Sequence, residues 1–494
     1  MSNIVKHRNG LDPAAEHATF RGAVGEAAAV EFSAFLNVRR ELPHPRAVLN
    51  DPGNADIREN ASALMALCGS LYRLAKDVTM DAIVTFAQRL RRDDPDKGYS
   101  PFLDTYLRPV LADCKRHGVR IVSNLGAANP LGAARRVQAL AAELGVAGLR
   151  VAALTGDDLL PIMGVDELRR QETIEGVAIG NRPIVAANAY LGARPVTQAL
   201  ATGADVVLVG RTTDAALVLG PLLHEFGWAA DDWDRLAAGT VCGHLLECGG
   251  QVTGAYFADP GFKDVPDLAR VGFPIAEVAA DGDMVITKPD GTGGLVSRAT
   301  VIEQLLYEMH DPTSYLTPDV TLDVSGVAIE EVGPDRVRVT GAKGRPGPER
   351  LKVTISVEAG WLGEAEISYA GPNAYARADL AARVVRERCA LIGIEAPLRV
   401  EIIGTGTVHD NDAGAARAAG SFPADGEYRV RAAVRSLDRA AAASVADEVL
   451  SLYCSGPAAG GGVRQSVTPQ ISTASILVDR NRVAPHVAVT EVNP

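Results

Sequence analysis

Apolar runs and amphipathic segments alternate through the middle of the chain. Continuous apolar runs predict four buried strands, at 119–124, 149–154, 183–188 and 205–210. Apolar residues at helical spacing predict helices between or after them, for example at 193–203 and 214–227. Strands that are apolar throughout and alternate with helices are typical of a parallel sheet covered on both faces. We therefore expect an α/β fold, with an α/β layer domain over 61–345.

The two ends of the chain show other patterns. Strand patterns and two amphipathic helices, at 373–393 and 438–454, follow in the order β-α-β-β-α-β. This order predicts a smaller α+β, ferredoxin-like domain over 346–494. Residues 1–60 lack the strand-and-helix rhythm. They offer one candidate short helix at 21–36 and then turn-forming residues, so we expect an irregular, divergent N-terminal segment.

Composition narrows the class of partner. The chain has 494 residues, of which 47% are hydrophobic and 22% charged, a balance that excludes a wholly disordered protein. A net charge of −12 without a basic patch argues against nucleic acid and against an anionic membrane surface. No apolar run is long enough to span a bilayer. The six scattered cysteines indicate reduced thiols, so we expect a cytoplasmic protein.

Polar residues follow each of the four predicted strands. Ligands of open α/β sheets bind outside the carboxyl ends of the strands, so these residues are the first candidates. Adjacent carboxylates Asp157 and Asp158 can act as a base or bind a metal. The candidates for substrate binding are Asn124, Thr155, Gly156, Asn188, Tyr190, Arg211 and Asp214. The Asn, Asp, Thr and Gly residues among them also cap helices or make turns, and Arg211 can instead pair with Asp214.

Two further groups bear chemistry. In a helix, His244, Glu247 and Cys248 share one face, which suits a metal pair or a Cys–His nucleophile; a buried histidine and an inert core cysteine are the alternative. We count His244 and Glu247 among the catalytic candidates. His409 and Asp410 follow a predicted strand, and together they can act as a general base. The sequence has no H-x-H motif, so we assign no metal site and leave dependence on a divalent metal open.

Glycines open the helix predicted at 296–310. A glycine-rich loop before a helix can present backbone N–H groups to a phosphate, for example of a nucleotide or coenzyme A. The residues of this loop are Gly291, Thr292, Gly293 and Gly294. Thr292 or Ser297 can cap the helix. A second glycine loop, at 456–462, is explained by a helix C-terminus followed by a turn.

Several long blocks of the chain resemble a known family. They include LTGDDLL, NAYLGARPVTQALATGADVVLVGRTTDAALVLGPLLHEFGW, AAGTVCGHLLECGGQVTGAYF, ITKPDGTGGLVSRATVIEQLLYEMHDP and GPAAGGGV. The chain resembles the acyclic terpene utilisation (AtuA) family from about Tyr72 to the C-terminus. The resemblance implies a bacterial catabolic protein, encoded beside enzymes that degrade terpenoids as coenzyme A thioesters. It does not supply the reaction.

Two departures from the family pattern add expectations. Family members usually begin with a glycine-rich strand and loop, G-x-G-x-G-F, which residues 1–60 lack. Many relatives carry or accompany a small ferredoxin-like C-terminal domain, so a separate small partner subunit is expected here.

Taken together, the residues and the resemblance indicate an enzyme with a small-molecule substrate, a branched or terpenoid acid linked to coenzyme A. A hydratase or lyase step is conceivable, and we expect a homo-oligomer. Coenzyme A would be part of the substrate, and no other cofactor is firmly implied. The alternative is a non-catalytic ligand-binding or scaffold subunit that works with the small partner.

Overall fold

A computed structural model describes the backbone of residues 3–6, 19–27, 31–38, 80–410 and 414–492. The strands of this part of the chain are β1 (Asn3–Lys6), β2 (Thr19–Ala27), β3 (Glu31–Val38), β4 (Val119–Ser123), β5 (Arg150–Thr155), β6 (Ile184–Ala189), β7 (Val206–Val209), β8 (Ile275–Ala279), β9 (Met284–Thr287), β10 (Tyr315–Leu316), β11 (Val320–Asp323), β12 (Ala328–Gly333), β13 (Arg336–Thr340), β14 (Lys343–Pro346), β15 (Arg350–Ala370), β16 (Leu398–Ile403), β17 (Glu427–Ser436), β18 (Gly461–Asp479) and β19 (His486–Glu491).

The α-helices of the same residues are α1 (Met80–Asp93), α2 (Leu103–Leu107), α3 (Leu111–Arg116), α4 (Pro130–Glu143), α5 (Leu160–Arg169), α6 (Ala193–Ala201), α7 (Ala216–Phe226), α8 (Trp233–Leu246), α9 (Arg298–Leu306), α10 (Ala374–Leu391), α11 (Ala415–Ala419) and α12 (Arg439–Ser455). The fold is mixed α/β, and its sheets contain both parallel and antiparallel pairs. The chain divides into two units. One comprises residues up to 180, 185–356 and those from 473 onward, and the other comprises 181–184 and 357–472. The domain boundary at residue 345 stays a prediction.

An eleven-stranded sheet runs through the first unit in the order β12-β13-β9-β8-β2-β1-β3-β4-β7-β5-β19. Its β4, β7 and β5 are parallel neighbours, whereas β19 closes the edge antiparallel to β5. The expected parallel sheet is therefore found only in part. The βαβ segment supplies only its parallel core, and hairpins and the C-terminal strand add antiparallel strands on either side.

The parallel strands read as continuous apolar runs because helices cover both of their faces. Val122 and Val207 face one core cluster, together with α6, α7 and α8. Ile121 and Leu208, one residue away in each strand, face a second cluster with α2, α3 and α4. Alternate side chains of a strand point to opposite faces, so the central positions of these strands are buried on both faces.

Two expectations about strands need correction. The strand β6 does not join the parallel sheet but pairs with β15. The short helix expected at 21–36 is wrong as well, because this stretch contributes to the antiparallel strands β2 and β3. Cross-strand pairing with β4 and β8 outweighs the weak local helix preference of its alanines.

The second unit contains a sheet in which β17 lies between β16 and β15, with antiparallel pairing on both sides. The helices α10 and α12 bury their alanine and valine side chains in one apolar cluster with residues such as Ile367 and Val430. Charged side chains of the same sheet form ion pairs, since Arg431 donates hydrogen bonds to Glu364 and Glu401. The predicted helices at 373–393 and 438–454 are observed within one or two residues at each end.

Among the described residues, none of the helices combines the length and apolarity that crossing a bilayer requires.

Candidate functional site

A cleft of about 270 Å³ lies where β5 ends beside β6. Six polar residues line it: Arg91, Asn129, Thr155, Asp157, Asp158 and Asn188. Backbone hydrogen bonds join the turn after β5 to β6, since Ala189 donates to the Asp157 carbonyl and Leu159 donates to the Ala187 carbonyl. These bonds bring Asp157 and Asn188 together even though β6 is not a strand of the large sheet.

The Asp157 carboxyl is the centre to which these turns converge. It is 4% exposed, and its Oδ2 accepts hydrogen bonds from Asn188 Nδ2 at 2.9 Å and from the Arg211 backbone N–H at 2.8 Å. Burial raises the pKa of Asp157 to about 6, although these two hydrogen bonds act to lower it. Gly210 permits this approach, because a side chain there would overlap the carboxyl group. The result is a carboxyl group that gains and loses a proton near neutral pH.

The neighbouring Asp158 carboxyl is more open. Its side chain is 27% exposed and accepts hydrogen bonds from the Leu160 backbone N–H and from Gln88 Nε2, at 3.2 and 3.3 Å. Burial raises its pKa, while these donors and the charge of Arg91 lower it. The cleft thus holds two carboxyl groups in different surroundings, the arrangement that separates the roles of proton donor and acceptor.

Asn188 has a buried oxygen that makes no hydrogen bond with any residue that the structure describes. The residue is 3% exposed, and its Nδ2 donates to Asp157, whereas its Oδ1 has no partner among these residues. Buried polar atoms are nearly always hydrogen-bonded, so an unsatisfied acceptor on a residue that lines the cleft needs an explanation.

Arg91 and Asn129 belong to this cleft and were missed in the sequence. The Arg91 guanidinium donates to the Ala128 carbonyl at 2.7 Å and lies 4.0 Å from Asp158. Asn129 caps α4, accepting from the Gly132 N–H. The Asn-Pro pair at 129–130 is a helix-start signal that could have placed Asn129 at the strand end. Arg91 comes from α1, far away in sequence, and only the tertiary fold brings it here.

The other strand-end candidates divide into two groups. Thr155 and Gly156 line the cleft. Gly156 has a φ of 105°, which favours glycine, and a side chain there would also overlap the Ala484 carbonyl. Asn124 is buried in the turn after β4 and is not part of the lining.

Arg211 also lies outside the cleft lining. Its guanidinium is buried over the Tyr190 ring at 3.9 Å, donates to the Thr212 carbonyl, and lies 3.7 Å from Asp214. This geometry agrees with the alternative that Arg211 pairs with Asp214. The positively charged residue that lines the cleft is Arg91.

His244 and Glu247 form a buried pair away from the cleft. His244 Nδ1 lies 2.7 Å from Glu247 Oε1, and the histidine is 3% exposed. Burial by itself lowers the pKa of His244, but the Glu247 carboxylate prevails and raises it. Glu247 follows the last residue of α8, and Cys248 adopts a φ of 62°, so the three residues do not continue on one helix face.

The glycine loop before α9 uses its backbone donors within the protein. The N–H groups of Gly293, Gly294 and Leu295 donate to the carbonyls of Arg270, Pro266 and Thr253. The next residue, Val296, donates to Asp335. A phosphate cradle over Gly291–Gly294 needs these N–H groups to be free, so we withdraw that expectation. The helix itself begins as expected, since Ser297 caps it together with Thr300.

The remaining candidates, His409 and Asp410, stay a prediction. Asp410 accepts from the Arg417 N–H at 3.1 Å, and the His409 side chain lies outside the described residues. Across the described part of the chain, no group of three or more His, Cys, Asp or Glu residues is placed to hold a metal ion.

Comparison with known families gives one match. The sequence pattern of the acyclic terpene utilisation family, AtuA, matches residues 50–489. The chain belongs to the AtuA family. No curated protein and no solved structure matches it.

The AtuA match includes every residue that lines the cleft, from Arg91 to Asn188. It also includes the buried His244–Glu247 pair and the glycine loop. Residues 1–49 lie outside it. The family links the chain to the utilisation of acyclic terpenes, and the geometry of the cleft is the basis for assigning a reaction.

Proposed function

We propose that this AtuA protein is an enzyme of acyclic-terpene catabolism that acts on a branched or terpenoid acid, presented as a coenzyme A thioester. The proposed step is of the hydratase or lyase type. The observation that supports it is the Asp157 carboxyl, buried in a cleft with a pKa of about 6. A group that titrates near neutral pH can give or take a proton during each turnover.

In this proposal the two carboxyl groups have different roles. Asp157 donates a proton, because burial favours its neutral form over that of an ordinary carboxyl. Asp158 is more exposed and lies near Arg91, so it accepts the proton. Asn188 holds Asp157 in place through the 2.9 Å hydrogen bond.

The cleft also limits which part of the substrate enters. A volume of about 270 Å³ suits the acyl end of a small branched acid, whereas coenzyme A itself is much larger. Arg91 supplies the positive charge that attracts a carboxylate or the thioester oxygen. One local cation serves this purpose even though the whole chain carries a net charge of −12.

A thermal-shift screen with acyl-CoA esters, free branched acids and divalent metals tests the proposal, followed by turnover assays on any compound that stabilises the protein. We expect stabilisation by acids or their thioesters and loss of turnover, but not of binding, in Asp157→Asn. The exposed Asp166→Asn serves as the matched control. Binding without turnover, with or without a small partner protein, would favour the scaffold alternative.

The fold class of the second unit, the partner protein, the oligomeric state and the cellular location also belong to this proposal. We assign the second unit to the ferredoxin-like class on the basis of its β-α-β-β-α-β order, the antiparallel placement of β17, and one apolar cluster for both helices. We also retain a small ferredoxin-like partner, a homo-oligomer and a cytoplasmic location as proposals.

A further inference from the structure

We infer that the substrate carries a hydroxyl group that donates a hydrogen bond to Asn188 Oδ1, so that the cleft selects hydroxy acids and their thioesters. This inference rests on the proposed function of the same cleft. It goes further by naming the group that the site recognises and the bond that breaks.

The first argument is the unsatisfied oxygen itself. Asn188 lines the cleft and is 3% exposed, and its Oδ1 has no hydrogen-bond partner in the described part of the chain. The orientation of the amide follows from Asp157 Oδ2, which accepts from the Arg211 backbone N–H and is therefore an acceptor toward the amide as well. It accepts from Nδ2 and leaves Oδ1 as the remaining atom. An amide oxygen accepts hydrogen bonds, so its ligand must be a donor.

The second argument is the choice among donors. Hydroxyl, amine and amide groups all donate, but terpenes consist of hydrocarbon skeletons, and their catabolism introduces oxygen rather than nitrogen. The family to which the chain belongs is linked to these compounds. A hydroxyl is therefore the donor that the cleft is expected to meet.

The third argument is that the neighbouring groups can use a hydroxyl chemically. In the dehydrating direction, Asp158 takes a proton from the carbon beside the one that bears the hydroxyl. The electron pair of that C–H bond forms a C=C bond, the C–O bond breaks, and Asp157 donates its proton to the departing oxygen. Water leaves. Asp158 loses its proton to solvent and Asp157 regains one from solvent, so the step needs neither an oxidant nor a reductant.

Three isosteric acids test the inference: 3-hydroxy-3-methylbutanoate, 3,3-dimethylbutanoate and 3-amino-3-methylbutanoate. They differ only in a hydroxyl, methyl or ammonium group at one position. Isothermal titration calorimetry on the full chain should show the hydroxy acid binding at least about tenfold more tightly than the dimethyl acid, because the latter leaves a buried acceptor unpaired.

Two variants locate the preference. Asn188→Ala should reduce the preference for the hydroxy acid to nearly onefold, and Arg91→Gln should weaken all three acids while keeping the preference. Gln198→Ala, an exposed polar residue of α6, and Arg89→Gln, beside Arg91 on α1, are the matched controls. A preference that persists in a folded Asn188→Ala variant would overturn the role of Asn188.

The wild-type chain decides the inference even if Asn188→Ala does not fold. Equal binding of the hydroxy and dimethyl acids, or tighter binding of the amino acid, would refute selection of a hydroxyl and leave the proposed cleft intact. If none of the three acids binds, either free or as its coenzyme A thioester, the cleft is not an acid-binding site, and the proposed function fails as well.

Discussion

The strand-end cleft and the glycine loop before α9 look alike in sequence but differ in how their polar groups are used. In the cleft, Asn188 Oδ1 has no partner among the residues that the structure describes, and burial raises the pKa of Asp157 to about 6. In the loop, the N–H groups of Gly293 and Gly294 donate to protein carbonyls. A polar or glycine-rich segment can bind a ligand only where the fold leaves hydrogen-bonding capacity unused.

The largest effect is expected from removing the proton-transfer groups of the cleft. Asp157→Asn and Asp158→Asn should each reduce kcat about 10²–10⁴-fold, which is the usual contribution of a general acid or base. Steady-state kinetics on a substrate found by the thermal-shift screen provides the measurement. A loss in Asp166→Asn as large as in Asp157→Asn would mean that the effect is not specific to the cleft.

The glycine loop should respond through stability instead. A side chain at Gly293 would overlap the Asp267 carbonyl, whereas one at Gly291 meets no atom within 4 Å. Gly293→Ala should therefore cost about 2–3 kcal/mol or more. Gly291→Ala, at a φ of 76°, should cost only about 1 kcal/mol. Chemical denaturation measures both, and equal losses would contradict the view that close packing explains Gly293.

The dependence of stability on pH distinguishes Asp157 from an ordinary surface carboxyl. Its pKa rises from 3.8 to about 6, so the contribution of this group to stability is present below pH 4 and is lost as pH increases through 6. The difference corresponds to about 3 kcal/mol.

Asp157→Asn removes this titration. Its melting temperature relative to wild type should therefore increase by roughly 3 °C between pH 4 and pH 7.5, for a chain of this size. Differential scanning fluorimetry across this range makes the comparison, with Asp166→Asn as control. Parallel profiles for wild type and Asp157→Asn would show that the carboxyl does not titrate near 6.

The smallest expected effect is a change in the pKa of His244, which pairs with Glu247 outside the cleft. Glu247→Gln should lower the pKa of His244, because it removes the carboxylate that outweighs burial. The raised pKa stabilises the fold at low pH, and this contribution is lost as pH rises through the folded value. NMR titration of the His244 ring protons measures this pKa. An unchanged value would mean that a group other than Glu247 raises it.

The order of elements was predictable where both faces of a strand are buried. The runs at 119–124 and 205–210 carry apolar residues on both faces, such as Ile121 with Val122 and Val207 with Leu208, and they became β4 and β7. Which strands become neighbours was not predictable. The runs at 183–188 and 149–154 look equivalent, but β6 pairs with β15 rather than with the sheet, because pairing depends on contacts distant in sequence.

The site was predictable in part for a related reason. Asp157, Asp158 and Asn188 could be proposed because strand ends meet at one edge of a sheet. The position of Arg91 could not, since α1 is distant from Asp157 in the sequence and only the tertiary fold brings it to the cleft. Arg211 stacks on Tyr190 outside the cleft lining, and its role in substrate binding stays a prediction. The N–H groups of Gly293 and Gly294 donate to carbonyls more than 20 residues away, so the sequence likewise did not show that they are occupied.

The most direct measurement is a crystal structure of the chain with 3-hydroxy-3-methylbutanoate bound. We predict the acid in the strand-end cleft, with its hydroxyl oxygen about 2.8 Å from Asn188 Oδ1 and its carboxylate at Arg91. A ligand bound at the glycine loop, or one in the cleft whose hydroxyl points away from Asn188, would contradict this account.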